Sequence, residues 1–72
     1  MPRLTFGDFI TKLKDWDVQI PPGIVGEAIV LTRIVKGTRH FATVMKRRND
    51  YLLAAETVEA HLIGLNIPPD EF

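Results

Sequence analysis

Apolar residues at the start of the chain recur with a helical period. Phe6, Phe9, Ile10, Leu13 and Trp16 stand at i, i+3, i+4, i+7 and i+10, and Asp8, Thr11, Lys12 and Asp15 take the other side. The spacing predicts an amphipathic helix over 5–16. The Thr5 hydroxyl is placed to cap its first turn, with Asp8 three residues on as in a capping box. Asp8 and Lys12, acid first, form a favourable i, i+4 pair. Pro21, Pro22 and Gly23 prevent any regular element from continuing past Ile20, because proline removes a backbone donor and biases the preceding residue towards extended geometry. Residues 17–20 are then a short extended piece or a loop.

From Glu27 to Lys46 the pattern changes. Ile29, Val30, Thr32, Ile34, Val35, Thr38, Thr43 and Val44 are β-branched, and only Lys36-Gly37 breaks the run. This predicts two strands joined by a tight turn, with glycine supplying a positive φ. A two-residue loop sets the register. Ile29 faces Val44, Leu31 faces Ala42 and Arg33 faces His40 on one side. Val30 faces Thr43, Thr32 faces Phe41 and Ile34 faces Arg39 on the other. Glu27 falls opposite Lys46, a complementary pair. Both faces carry apolar residues, so neither is expected to lie wholly in water.

Residues 49–65 read as a second helix, capped by Asn49 or Asp50, with Tyr51, Ala55, Val58, Leu62 and Leu65 as its apolar stripe. Gly64 is the expected stop, with Leu65 as its hydrophobic contact. Residues 66–72 read as a short acidic tail containing Pro68 and Pro69. The expected fold class is α+β: helix, β-hairpin or small antiparallel sheet, helix. An all-α alternative competes with it. Phe41, Val44, Arg48, Tyr51, Ala55, Val58, Leu62 and Leu65 alternate three and four residues apart, as along a heptad seam, and neither Gly nor Pro separates Thr38 from Ile63. In that case one long helix would replace strand and helix.

With 72 residues the chain makes one small domain, 1–72, with a thin core. Domains of this size commonly gain stability from disulfides, metal or self-association. Cysteine is absent, which excludes disulfides, thiolate nucleophiles and Cys-bound zinc. His40 and His61 are 21 positions apart and form no spaced ligand pair, so neither metal nor cofactor is expected. Homo-oligomerisation is the remaining route, and Tyr51, Ala55, Val58 and Leu62 are the candidate dimer interface. No apolar run reaches the ~20 residues of a membrane span. No signal-peptide pattern succeeds Met1, and a cytoplasmic location is expected. A hydrophobic fraction of 46% is too high for a disordered chain.

Charge is segregated although the total is zero. Residues 33–48 hold Arg33, Lys36, Arg39, Lys46, Arg47 and Arg48 and no acid, whereas residues 1–32 are net −1 and residues 49–72 net −5. On a hairpin, Arg33, Lys36, Arg39 and His40 gather near the turn, and Lys46, Arg47 and Arg48 gather at the far end. Roughly 20–25 Å of strand separates the groups at about 3.3 Å per residue. An extended polyanion could span them, so nucleic acid or an acidic protein partner is expected on this element. The same residues also read as a solvated surface that guards a strand edge. His40 has the pKa range of a general base, but the sequence offers no second proton-transfer group beside it. Serine is absent, and the glycines at 23 and 26 lack the Gly-Lys-Ser/Thr ending of a phosphate loop. No catalytic residue is assigned.

The order helix, three strands, helix resembles the double-stranded-RNA-binding topology that HicA-type toxins also use. The residues that carry the likeness are Val35-Lys36-Gly37 as a hairpin turn, then a helix running into Gly64-Leu65 and a terminus reading Asp70-Glu71-Phe72. In that family the catalytic histidine lies in a Gly-Ser-His stretch on an early strand. The corresponding residues here are Gly26-Glu27-Ala28, without histidine, so the resemblance implies the topology and not RNA cleavage.

Overall fold

A computed structural model of the chain describes residues 4–72. Their order is β1 (Leu4–Thr5), α1 (Phe6–Lys14), β2 (Ala28–Val35), β3 (Thr38–Met45), β4 (Leu52–Leu53), α2 (Ala55–Gly64) and a short 3-10 turn at Pro69–Glu71. The fold is α+β. β2 and β3 form an antiparallel hairpin, and β1 and β4 form a second, very short antiparallel pair. The all-α alternative is therefore overturned: its heptad run is divided among β3, β4 and α2. Phe41 and Val44 fall on opposite sides of β3, which no helical seam would allow.

α1 forms where its period places it. The Thr5 hydroxyl accepts a hydrogen bond from the Asp8 N–H at 3.1 Å, the first half of a capping box. Phe6, Phe9 and Leu13 are buried, while Ile10 and Trp16 lie at the margin of the core. The hairpin register matches the expected one at every pair from Ala28–Met45 to Val35–Thr38. Lys36 and Gly37 both have positive φ, 50° and 80°, which a two-residue turn matched to the strand twist demands. Glu27 and Lys46 pair through the backbone, Lys46 N–H to Glu27 C=O at 2.7 Å. Their side chains do not pair as expected. The Glu27 carboxylate accepts from Ile24 N–H at 2.9 Å, and the Lys46 ammonium lies 5.6 Å from the Phe6 ring centre.

The second helix is shorter than the stripe suggests, 55–64 instead of 49–65. The reason lies in α1. Its first N–H groups have no partners inside the helix. Tyr51 C=O takes the Phe6 N–H at 2.7 Å, and Asn49 C=O takes the Gly7 N–H at 3.0 Å. Asn49 and Asp50 are thus held in a turn, closed by Tyr51 N–H to Arg48 C=O at 3.0 Å, and Leu52–Leu53 follow as β4 against β1.

Both helices end alike. Asp17 (φ 57°) and Asn66 (φ 58°) adopt the left-handed conformation common just past a helix C-terminus. Val18 N–H bonds back to Leu13 C=O, and Ile67 N–H bonds back to Leu62 C=O. Gly64 is therefore not the stop residue. The reversal falls at Asn66, whose short amide tolerates this φ, and Ile67 supplies the buried contact. Residues 66–72 are folded against the body instead of trailing as a tail. Ile67 is buried, the Phe72 ring lies 5.8 Å from that of Phe9, and Lys12 Nζ donates to Phe72 C=O at 2.7 Å.

One core joins Phe6, Phe9 and Leu13 of α1 with Val58 and Leu62 of α2, beneath Ile29, Leu31, Ala42 and Val44 of the hairpin. No described helix is long and apolar enough to cross a membrane.

Candidate interaction surface

The six cations of residues 33–48 meet different fates. Arg33 is drawn inward. Its Nε donates to Trp16 C=O at 3.0 Å, and its Nη1 donates to Leu65 C=O at 3.3 Å and to Asn66 C=O at 2.7 Å. The guanidinium also lies 5.2 Å from the Trp16 ring centre. These carbonyls terminate α1 and α2, where backbone dipoles leave partial negative charge. Arg33 therefore ties the ends of both helices to the hairpin. No local pattern signals this role, because the carbonyls come from positions 17, 32 and 33 residues away.

Lys36 and Arg39 stand exposed at the hairpin tip, and no described acid pairs with either. His40 is half-buried opposite Arg33. At the other end, Arg47 is half-buried with its guanidinium 4.8 Å from the Tyr51 ring centre. Arg48 Nε lies 3.8 Å from Asp50 Oδ1, a contact between two largely exposed side chains that contributes little. The fold thus separates the basic residues into a free pair at the tip and a cluster at the base, as strand geometry implied.

The hairpin's outer face differs from expectation. Val30 (47%), Ile34 (56%), Phe41 (52%) and Met45 (43%) retain about half their possible exposure. They share one face by the period-two rule, and no element covers them. Scattered exposed apolar residues are ordinary, but a contiguous set on one strand pair marks a surface suited to association. No acid occurs between Ala28 and Asn49, so the strands themselves contribute only basic charge to this face. The signal was present in the sequence: the even positions of β2 and the odd positions of β3 alternate with the core set, and Val30, Ile34, Phe41 and Met45 among them are apolar.

The candidate dimer stripe is not a surface. Val58 and Leu62 are fully buried, Ala55 is half-buried at the start of α2, and Tyr51 precedes the helix and is exposed. Only Tyr51 keeps substantial area for a partner.

Among the described residues, two concavities lie beside the hairpin. One of about 340 Å³ adjoins the first turn of α1, near Lys46 and Asn49. It offers an anion no free helix donors, because the N–H groups of Phe6, Gly7 and Asp8 are already bonded. The other, of about 320 Å³, runs between Thr43, Met45 and Arg47 on one side and Tyr51 and His61 on the other, over Phe9. His61 is placed there by the last turns of α2, with its ring 6.1 Å from that of Phe9. Burial lowers its pKa below the ordinary 6.5, since the charged ring is less well solvated.

This shift gives stability a definite pH dependence. The unfolded chain takes up a proton as pH falls through 6.5, whereas the folded chain resists it. The stabilisation from neutral His61 is therefore complete above 6.5 and declines as pH falls through the lower folded-state value. Thermal midpoints measured between pH 7.5 and 5 should fall, and His61→Gln should flatten that slope. An unchanged slope in the variant would assign the dependence to other groups.

Among the described residues, no three His, Cys, Asp or Glu side chains gather as a metal site requires. Comparison with known protein families, curated proteins and solved structures found no match to this chain.

Proposed function

We propose that the chain is a non-enzymatic interaction module whose hairpin holds an acidic segment of a protein partner. The observation that carries this reading is the outer face of β2 and β3, apolar at its centre and bounded by Lys36, Arg39, Arg47 and Arg48 with no acid among them. A protein partner is favoured over nucleic acid by the chemistry of that centre. Val30, Ile34 and Met45 have no π face on which a base could stack, and Phe41 is the only aromatic there. Arg33, committed to helix carbonyls, is no longer available to a phosphate. The lack of cysteine suits the cytoplasmic setting expected from the sequence.

The test is fluorescence anisotropy with a labelled nine-residue peptide, two glutamates at each end and alternating valine and threonine between. Single-stranded and duplex oligonucleotides of matched charge are run beside it, from about 50 to 300 mM salt. The peptide should bind more tightly than either oligonucleotide at every salt concentration. Arg39→Glu with Arg47→Glu should weaken it at least tenfold, about 1.4 kcal/mol, with an unchanged circular dichroism spectrum. Tighter oligonucleotide binding would replace this reading with a nucleic-acid one. A dimer seen by light scattering, abolished by Phe41→Glu, would assign the face to a second copy.

A further inference from the structure

In a two-residue hairpin the residues flanking the turn bond each other, and bonded and outward-facing positions then alternate along both strands. Lys46 N–H to Glu27 C=O fixes the bonded set, and the mutual bonds between Thr32 and Gln19 fix the outward set. On β2 the outward groups of Thr32 are thus covered by Gln19. On β3 the outward residues are Arg39, Phe41, Thr43 and Met45. Among the described residues, none of their outward N–H or C=O groups has a hydrogen-bond partner.

This edge is not open along its whole length. α2 closes on it at one point: a Cβ built on Gly64 would lie 2.9 Å from the Phe41 carbonyl oxygen. Towards Met45 the helix and strand diverge, and the 320 Å³ groove opens between them. The open edge therefore runs from Thr43 to the end of β3 at Met45, about 10 Å of strand at ~3.3 Å per residue.

We propose that this groove takes one short extended segment of an acidic protein as an added strand, hydrogen-bonded to the N–H and C=O groups of Thr43 and Met45. The inference rests on the interaction-module reading and states its mode. Alternate side chains of such a strand point to opposite faces. One set enters the groove over Phe9 and beside His61, and the other continues the apolar surface of Phe41 and Met45. Acids at its end beyond Met45 meet Arg47 and Arg48. A second copy does not fit. Its β3 carries the same basic ends as the edge it would join. Antiparallel self-pairing would also set Lys36 and Arg39 of one copy near Lys46, Arg47 and Arg48 of the other.

The experiment uses the full chain, ¹⁵N-labelled, with the glutamate-ended peptide and a version carrying glutamine for glutamate. The amides of Thr43 and Met45 should become at least tenfold more protected from exchange with either peptide. The acidic peptide should bind at least fivefold more tightly. Thr43→Pro removes one outward N–H and leaves the β2–β3 ladder intact, and it should weaken binding at least tenfold. If this variant fails to fold, amide protection in the unaltered chain decides alone. Binding of the acidic peptide without protection at Thr43 and Met45 would overturn strand addition and leave the interaction reading standing. No binding of either peptide would overturn both. Protection appearing without peptide as protein concentration rises would assign the edge to a second copy and overturn the proposal.

Discussion

Arg33→Ala is expected to destabilise the fold by about 2–4 kcal/mol, because hydrogen bonds from a charged donor contribute about 1.5–3 kcal/mol each and partly exposed ones less. Three carbonyls lose their donor at once, those of Trp16, Leu65 and Asn66, and Trp16 loses the guanidinium beside its ring. At roughly 4–8 °C per kcal/mol for a domain of this size, the thermal midpoint should fall by about 8–32 °C. Lysine at the same position keeps the charge but not the planar fork, so Arg33→Lys should recover only part of the loss. Arg33→Met keeps most of the apolar stem and should resemble Arg33→Ala more than Arg33→Lys. Chemical denaturation of the three variants checks the order. Equal stability of all three with the unaltered chain would mean that water serves these helix ends as well as Arg33 does. Arg33 therefore belongs outside any charge-reversal test of binding, since its loss would weaken partner and fold together.

Gly64→Ala should also destabilise, against the usual rule. At an exposed helical position, alanine is favoured over glycine by about 1 kcal/mol. Gly64 is exposed in the last turn of α2, so propensity alone forecasts a gain. The obstacle is the Phe41 carbonyl, 2.9 Å from where the new methyl would sit. Backbone cannot rotate aside as a side chain does, so α2 or β3 must move. Overpacking of this kind typically costs about 1–3 kcal/mol, which outweighs the propensity term. A lower denaturation midpoint is the expected result. A higher one would show that α2 withdraws from β3 at little cost, and the groove would then extend past Phe41.

Local rules account for the parts of the fold that were legible in the sequence. The hairpin was legible to the residue, because a two-residue turn and period-two alternation are such rules. The face of α1 was legible for the same reason, as Phe6, Phe9 and Leu13 are set by its own period. The second helix was misjudged at its start, where Asn49 and Tyr51 give their carbonyls to α1 across more than forty positions. Its end was misjudged because Gly64 is required by close approach to β3 and not by a left-handed turn, which Asn66 supplies instead. The candidate site divides in the same way. Lys36, Arg39, Arg47 and Arg48 stand at the two ends of the hairpin as strand spacing implied. Arg33 does not join them, for a reason found only in three dimensions. The apolar stripe of Val58 and Leu62 was a sound pattern with the wrong destination, since core and interface demand the same residue types.

The hairpin and the Arg33 contacts also differ in when they can form. Closing a loop of two residues costs little chain entropy, and isolated hairpins form in about 1–10 μs. The bonds from Arg33 join residues 17, 32 and 33 positions apart, so they must wait until both helices have been brought into place. During synthesis the order is stricter, because Arg33 is made long before Leu65 and Asn66 exist. A growing chain thus has its outer hairpin face, with Phe41 and Met45 uncovered, while α2 is still unmade and the β3 edge lacks even the closure at Gly64. In that interval the surface offered to a partner is at its largest, and so is its exposure to the wrong one.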